Sequence, residues 1–201
     1  MTDKEGRMTT VRCQSADLYR AINLVKHAVA AEDARPILTT ILFEGDADGF
    51  RLVAADNYRI AVAEIEEASG DVGDWGRRPI PLSELKPLLP ILKAEKGEVR
   101  LSLETDGRRA HLAGTDWGID FRVMDGTFPG YRAVLPNHNG HAAVALNAKY
   151  LRDAFTAAQA SETGISVLHV GDPLVPIEIT VKSVGYREIV MPVRVPEDSL
   201  A

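Results

Sequence analysis

The sequence predicts an α+β protein with mainly antiparallel sheets, and three observations predict it. A strand-like segment, an amphipathic helix and three more strand-like segments follow one another in that order three times. The helices are expected to start near residues 15, 82 and 147, a nearly constant spacing that is typical of an internal structural repeat. Short strands without a glycine-rich phosphate loop favour antiparallel sheets over a doubly wound parallel sheet.

The first repeat begins with the strand-like segment TTVRCQ (residues 9–14). Leu18, Ile22, Val25 and Val29 then recur at helical spacing, and Ser15 is the expected N-cap of this helix. The next strand-like segments are TTILFEG, FRLVAAD and RIAVAEIE (residues 39–45, 50–56 and 59–66). Turn residues in GDADG separate the first two of them, as in a hairpin.

The second repeat begins with RRPIPL (residues 77–82), and Ser83 is the expected N-cap of its helix. The apolar face of this helix is formed by Leu85, Leu88, Leu89 and Leu92. Two prolines, at positions 87 and 90, argue against a regular helix here. Three strand-like segments follow, an alternating one at residues 99–103, then RAHLAG and WGIDFRVM.

The third repeat begins with AAVAL (residues 142–146). Its helix is expected to start near Asn147 and to bury Leu151, Ala154 and Phe155. The strand-like segments after it are GISVLHV, VPIEITV and YREIVMPVRV. The last of these contains a Met191-Pro192 step, which a strand in the middle of a sheet does not tolerate.

Composition and charge limit the class of protein. The 201 residues carry a net charge of −6, which excludes a uniformly basic surface for nucleic acid. The predicted helices nevertheless carry lysines and arginines away from their apolar faces, while many acids lie in strands and loops. The pattern is consistent with a basic helical side and an acidic opposite side, but from charge alone ordinary solvated helix faces are favoured. The polar first residues, the absence of an apolar run of ~20 residues and the single cysteine favour the cytoplasm.

Candidate catalytic and metal-binding residues are few. His138 and His141 in NHNGH are either metal ligands or part of a polar turn, and a turn is favoured. Asp56 in AADNYR is either a general base or a turn residue that bonds to its own backbone, and again the turn is favoured. Cys13 is expected to pack in the core. Because no hydrolase, zinc-protease or phosphate-loop motif occurs, we expect no enzyme and no cofactor or metal.

Four motifs, in order, resemble the bacterial sliding clamp, the β subunit of DNA polymerase III. RPILTTILFEGDADGFRLVAADNYRIAVAEIE is similar to its middle domain, with AADNYRI (54–60) in place of an Ala-Thr-Asp-Gly-His-Arg-Leu motif. VMDGTFPGYRAVLP (123–136) is similar to the linker before its last domain. VALNAKYLRDAF and IVMPVRV are similar to the second half of that last domain. The resemblance implies a DNA-clamp fold of repeated strand-helix-three-strand units, with antiparallel sheets outside and helices inside.

The resemblance also implies a domain division, with departures from the family. We expect a complete clamp-like domain at residues 8–130, a linker at 131–142 and a half domain at 143–196. The first clamp domain has no counterpart, and neither does the first half of the last one. Ala55, Asn57 and Tyr58 replace the Thr and Gly-His of the family motif, and Val193 replaces its second C-terminal methionine.

The resemblance implies a processivity factor that encircles double-stranded DNA without reading its sequence. It also implies a hydrophobic cleft that holds linear motifs of DNA polymerases and clamp loaders. The implied cleft residues are Leu38, Ala55, Tyr58, Arg59, Ile60, Pro129, Val134, Leu174, Ile189, Met191, Pro192, Val193 and Arg194. The implied DNA-facing residues are Arg20, Lys26, Arg35, Lys86, Lys93, Lys149 and Arg152.

The sequence leaves alternatives open for the oligomeric state and for DNA binding. A third repeat without its partner half exposes a sheet edge, so we expect a homo-oligomer. A ring of about four chains would reach the family's usual number of helix-bearing units, and a dimer through the third repeat is the rival. An adaptor that keeps the peptide cleft but does not encircle DNA is the alternative function.

Overall fold

The computed structural model describes residues 8–31, 35–135, 144–159, 165–170, 175–181 and 186–194. The chain divides into two compact units, Met1–Leu135 and Pro136–Ala201, which we call the N-terminal and C-terminal units. Repeats one and two form the N-terminal unit, and the helix and strands of repeat three lie in the C-terminal unit. The strand-helix-strand order predicted from periodicity is confirmed in all three repeats, except for the first strand of repeat three.

Repeat one contains β1 (Thr9–Gln14), α1 (Ser15–Val25), β2 (Thr40–Asp46), β3 (Gly49–Ala55) and β4 (Ile60–Ile65). A short strand and a single helical turn follow it, β5 (Ser69–Gly70) and α2 (Val72–Trp75). Repeat two contains β6 (Gly76–Pro81), α3 (Leu82–Leu85), α4 (Leu89–Ala94), β7 (Glu98–Leu103), β8 (Arg109–Ala113) and β9 (Gly118–Arg122). Short 3₁₀ turns occupy Lys26–Ala28, Pro36–Thr39, Lys86–Leu88 and Tyr131–Val134.

The two repeats exchange their first strands. One sheet has the order β5-β1-β7-β8-β9 and the other the order β4-β3-β2-β6. Thus β1 of repeat one adds to the strands of repeat two, and β6 of repeat two adds to the strands of repeat one. Both pairings are antiparallel, with Val11 opposite Leu101 and Ile41 opposite Ile80. Each sheet is therefore incomplete without a strand from the other repeat.

One apolar core joins both sheets to the helices. Leu18, Ile22 and Val25 of α1 lie in the same buried cluster as Leu88 and Leu92 of the second helical region, as predicted. The helices α1 and α4 pack against each other. The 3₁₀ turn at Lys86–Leu88 interrupts the second helix at Pro87, which confirms the expected irregularity.

Both predicted serine N-caps are wrong. The residues that cap α1 and α3 are Gln14 and Pro81, and neither makes a side-chain capping bond. The reason is that β1 and β6 continue directly into their helices, so the residue before each helix belongs to a strand. Ser15 is buried inside the first turn instead, and its hydroxyl donates to the carbonyl oxygen of Leu92 at 2.9 Å.

A second apolar layer covers the far face of the four-stranded sheet. β2 and β3 are apolar on both faces, so Leu42, Val53 and Ala55 point away from the helices. Leu38 and the aromatic rings at positions 128 and 131 cover them and complete a small buried cluster. Both segments that supply this cover belong to the motifs that resemble the sliding clamp.

The C-terminal unit contains α5 (Ala148–Ala158), β10 (Val167–His169), β11 (Ile177–Val181) and β12 (Tyr186–Val190). Its sheet has the order β10-β11-β12, with both pairings antiparallel. The buried core is Ala154, Ile177, Ile179 and Val190, with Val144, Leu146 and Leu151 packed against it.

The start of repeat three agrees with the sequence only in part. The predicted start near Asn147 is confirmed, since its side-chain oxygen accepts the amide N–H of Lys149 at 2.9 Å. The predicted burial of Phe155 is wrong, because its side chain is 36% exposed. Residues 144–147 have no regular secondary structure, and the first two residues of AAVAL lie outside the described residues.

Candidate partner-binding and DNA-binding surfaces

The AADNYRI motif forms a tight turn between β3 and β4. The Asp56 side chain accepts the amide N–H groups of Tyr58 at 2.8 Å and Arg59 at 3.0 Å, and pairs with the Arg59 guanidinium at 2.9 Å. These bonds, the Tyr58 amide first, hold the pKa of Asp56 below its ordinary value. Asp56 therefore shapes the turn, which is the role that the sequence favoured over that of a general base. The turn projects Tyr58 into solvent, with 95% of its surface exposed.

The N-terminal residues of the implied cleft divide into a buried and an exposed set. Leu38 and Ala55 are buried in the second apolar layer, and Ile60 packs against it. Tyr58 and Arg59 are exposed at the turn beside Ile60, and Pro129 directly follows the buried Phe128. Val134 is also exposed, in the 3₁₀ turn that follows Pro129. The buried members thus support a surface whose exposed members are available for contact.

A polar cluster that the sequence did not reveal fixes the segment around Pro129. Glu44 is buried in β2, and its carboxylate accepts the hydroxyl of Tyr131 and pairs with Arg132 and Arg77, each at 3.3 Å. The Arg77 guanidinium also donates to the carbonyl oxygen of Pro129 at 3.0 Å. Burial and the Glu44 hydrogen bond raise the pKa of Tyr131. The sequence signal that could have revealed this cluster is Glu44 itself, an acid within the apolar TTILFEG strand, because a buried acid needs a partner.

The C-terminal residues of the implied cleft form an exposed apolar row. Ile189 lies on β12 opposite Glu178, on the sheet face away from the core. Ile189, Met191 and Val193 are 54%, 63% and 46% exposed. The strand ends at Val190, so Pro192 follows the ladder and interrupts none of it. Arg194 is exposed, and Leu174 lies outside the described residues.

Most of the implied DNA-facing residues lie on helices and are exposed. Arg20 lies on α1, Lys26 directly follows it, and Lys86 and Lys93 lie in the second helical region, all four away from the buried face. Arg20 also pairs with Asp17 at 2.9 Å.

The other implied DNA-facing residues differ in their setting. On α5 the exposed cations are Lys149 and Arg152, and the latter contacts Asp153 at 3.5 Å. Arg35 is not helical, and its guanidinium donates to the side chain of Asn57 in the AADNYRI turn. Arg35 therefore lies beside a motif of the implied cleft as well as in the implied DNA-facing set.

An acidic side opposite the helices, the less favoured interpretation of the charges, is not found on the five-stranded sheet. Its outer face presents Arg12 directly opposite Arg100, and Arg109 directly opposite Arg122. Acids are interspersed, with Glu98 at 3.9 Å from Arg12 and Asp120 at 4.0 Å from Arg109. Counting charges by element could not predict this, because the strand pairing is what brings these arginines onto one face.

The remaining chemical candidates are a cysteine in the core and two histidines that the structure does not describe. Cys13 is buried, and burial raises the pKa of its thiol to about 12, with smaller contributions from Asp17 and Glu98, so it packs in the core as predicted. His138 and His141 lie outside the described residues. Within the residues that the structure describes, no group of three potential metal ligands occurs and no helix could cross a membrane.

Comparison with known proteins gives a consistent result. The Vibrio cholerae "Beta sliding clamp" is 30% identical over 150 residues, which are 74% of this chain and 39% of that protein. The Haemophilus influenzae "Beta sliding clamp" is 32% identical over 145 residues, which are 70% of this chain and 37% of that protein. The matched region thus covers less than two fifths of the length of each of these relatives.

Solved structures confirm the predicted clamp fold. A Pseudomonas aeruginosa DNA polymerase sliding clamp matches with a TM-score of 0.74 at 22% identity, over 96% of this chain and 53% of that one. A C. crescentus β sliding clamp matches with a TM-score of 0.76 at 20% identity, over the same shares of both chains. A family profile described as "DNA polymerase III beta subunit, central domain" matches residues 12–130. The chain therefore belongs to the family of the DNA polymerase III β subunit, the bacterial sliding clamps.

Proposed function

We propose that this protein is a non-enzymatic processivity factor that encircles double-stranded DNA and tethers DNA polymerases or repair proteins. The observation that carries the proposal is the family match over residues 12–130, a complete two-repeat domain. We also propose the domain division at 8–130, 131–142 and 143–196, with self-assembly into a ring of four chains. Topological linkage to the duplex lets a protein with a net charge of −6 stay on DNA without tight binding.

We propose that the implied cleft residues of each unit bind partner motifs, and each unit gives its own support. Its support in the N-terminal unit is the exposed Tyr58 turn next to a buried apolar layer, with the Pro129 segment held by Glu44. Its support in the C-terminal unit is the exposed row at Ile189, Met191 and Val193. Exposed apolar patches rimmed by polar residues are typical of surfaces that bind short peptide motifs.

The first test concerns the partner surface. Replacing Met191 and Pro192 together by alanine is expected to weaken binding of a clamp-binding linear-motif peptide about tenfold or more, because two apolar side chains are truncated in the proposed cleft. Fluorescence anisotropy with a labelled peptide measures this. Tyr150→Ala removes a comparably exposed side chain from α5 and is the matched control, expected to bind normally. Equal weakening in both variants, or a loss of DNA association together with peptide binding, contradicts the assignment.

The second test concerns encirclement. Wild-type protein is expected to remain on nicked circular duplex and to leave the same DNA once it is linearised, because an open end lets a ring slide off. Bead-bound DNA and a clamp loader supplied in parallel reactions allow both forms to be compared. Failure to be retained on circles under every condition, while peptide binding persists, would favour the adaptor that does not encircle DNA.

A further inference from the structure

The N-terminal unit shows how two repeats complete each other. The first strand of each repeat pairs with the first of the three later strands of the other, β1 with β7 and β6 with β2. Their helices pack together and share one core. Consequently β2 and β7, the receiving strands, each have a neighbour on both sides.

The third repeat has the same parts but lacks a sister repeat among the described residues. Its β10 occupies the position of β2 and β7, directly before the second strand of the repeat, yet it pairs only with β11 in the part of the chain that the structure describes. Leu168 lies opposite Ile179, a core residue, and so on the core face of the sheet, but 43% of it is exposed. The core-facing side of β10 is thus left half uncovered.

The helix of repeat three shows the same deficit. The eighth residue is Ile22 in α1 and Phe155 in α5, counted from each helix start. Ile22 is 1% exposed in the core that the two repeats share, whereas Phe155 is 36% exposed. A position that is buried in the shared two-repeat core of the N-terminal unit is therefore open to solvent in the C-terminal unit.

Residues 144–146, directly before α5, correspond to β1. One of the two edges of this segment is bonded in the way that β5 bonds to β1. In repeat one, β5 follows β4 and pairs with one edge of β1, while β7 takes the other edge. In repeat three, the amide of Val193, just after β12, donates to the carbonyl oxygen of Ala145 at 2.8 Å. Ala145 thus already bonds to its own chain on the edge that corresponds to β5. The edge that corresponds to β7 is the one a sister repeat would take.

We propose that a second copy of this chain is the sister repeat. Two third repeats associate about a two-fold axis, so that residues 144–146 of each copy add to β10 of the other and the two α5 helices pack through Phe155. A second copy fits because it supplies a strand and a receiving edge of the same kind, as an isologous contact requires. The two chains together then contain three complete two-repeat domains, one from each N-terminal unit and one shared.

The proposal deepens only the self-assembly part of the proposed function and needs neither DNA nor peptide. Sedimentation equilibrium of the full chain without DNA is expected to give a mass of at least twice 21.9 kDa at micromolar concentration, in an even number of chains. A monomer throughout this range, or an odd-numbered assembly, overturns the proposal.

Matched variants locate the interface. Leu168→Asp is expected to weaken association about tenfold or more, because each copy would bury a carboxylate in the shared core. Val167→Asp is the control, since Val167 is similarly exposed at 40% but lies on the opposite face of the same strand. Equal weakening by the two variants overturns the assignment of the core-facing side.

Hydrogen exchange of the wild-type protein tests strand pairing between two copies even if Leu168→Asp fails to fold. Amides of residues 144–146 and 167–169 are expected to gain protection when the protein is concentrated, while those of β2 and β3 stay unchanged. Unchanged exchange in β10 while the protein associates overturns strand exchange. Protection of β10 without retention on circular DNA would keep this inference and remove the ring.

Discussion

Gly45 illustrates how a single residue decides the packing in the N-terminal unit. It lies in β2 beneath α2, and a Cβ placed there would lie 2.4 Å from the carbonyl oxygen of Val72 and 2.8 Å from the Cβ of Trp75. Trp75 is fully buried and packs edge-on against Phe50, with ring centroids 5.7 Å apart. Only glycine lets α2 approach this closely, and neither colliding atom belongs to a flexible side-chain end.

Gly45→Ala is expected to lower the free energy of unfolding by ~1–3 kcal/mol, because the helical turn and the Trp75 backbone must move to admit a methyl group. Urea denaturation followed by Trp fluorescence measures this decrease. Gly73→Ala is the control, since a Cβ at Gly73 meets nothing within 4 Å. If the two variants have the same stability, α2 adjusts freely and the close approach has no energetic importance.

At the scale of elements, Glu95 joins the end of α4 to the hairpin between β8 and β9. Its carboxylate accepts the amides of Thr115 and Gly97 and the indole N–H of Trp117, the last at 2.9 Å. These bonds, the Thr115 amide first, lower the pKa of Glu95 from 4.5 to about 2. Helix and hairpin are therefore held by one ionised side chain, whose hairpin partners are 20 and 22 residues away along the chain.

Because the folded pKa of Glu95 is below its unfolded value, its stabilising effect is fully present above pH 4.5 and disappears as the pH falls towards about 2. Glu95→Gln is expected to be less stable than wild type at neutral pH, and the difference is expected to shrink within this window. Urea unfolding at about pH 3 and at neutral pH measures both quantities. Glu64→Gln, on the exposed face of β4, is the control. A difference that stays constant with pH would contradict an ionised Glu95.

At the scale of the whole molecule, charge does not by itself decide which surface meets DNA. Basic residues lie on the helices, at Lys86 and Lys93 among others, but arginines also lie on the outer face of the five-stranded sheet. The proposed ring requires the helices to face the duplex. The salt dependence of binding separates the two surfaces, because each neutralised phosphate releases counterions.

Replacing Lys86 and Lys93 by alanine is expected to weaken association with duplex DNA and to reduce the slope of log K against log salt by ~0.9 for each phosphate that is no longer neutralised. Anisotropy of a labelled linear duplex at several salt concentrations gives this slope. Arg12→Ala with Arg100→Ala removes two charges from the sheet face and is the matched control, expected to leave the slope unchanged. A larger effect from the control would place DNA on the sheet side.

Local predictions from the sequence were reliable where the signal was periodic. The helices at residues 15, 82 and 147, the strands of repeats one and two and the turn role of Asp56 are confirmed. Predictions that required a neighbour failed. Ser15 is not a cap because β1 leads straight into α1, and Phe155 lies on the predicted apolar face of α5 but is exposed.

The candidate surfaces were only partly predictable for the same reason. Resemblance indicated Leu38, Tyr58 and Pro129, but not Glu44, which holds the Pro129 segment through Tyr131 and the guanidinium groups of Arg77 and Arg132. Glu44 and Arg132 are 88 residues apart, and no short motif contains both.

The sequence by itself determined the order of helices and strands in the three repeats, since side-chain periodicity is a local property of neighbouring residues. It also determined the family, through motifs that lie within single segments. Only the tertiary structure decided that β1 and β6 are exchanged between repeats, because many antiparallel pairings satisfy the same alternation of apolar residues. The exchange makes one repeat incomplete without another, and for this reason the unpaired edge of β10, among the residues that the structure describes, could be recognised only in three dimensions.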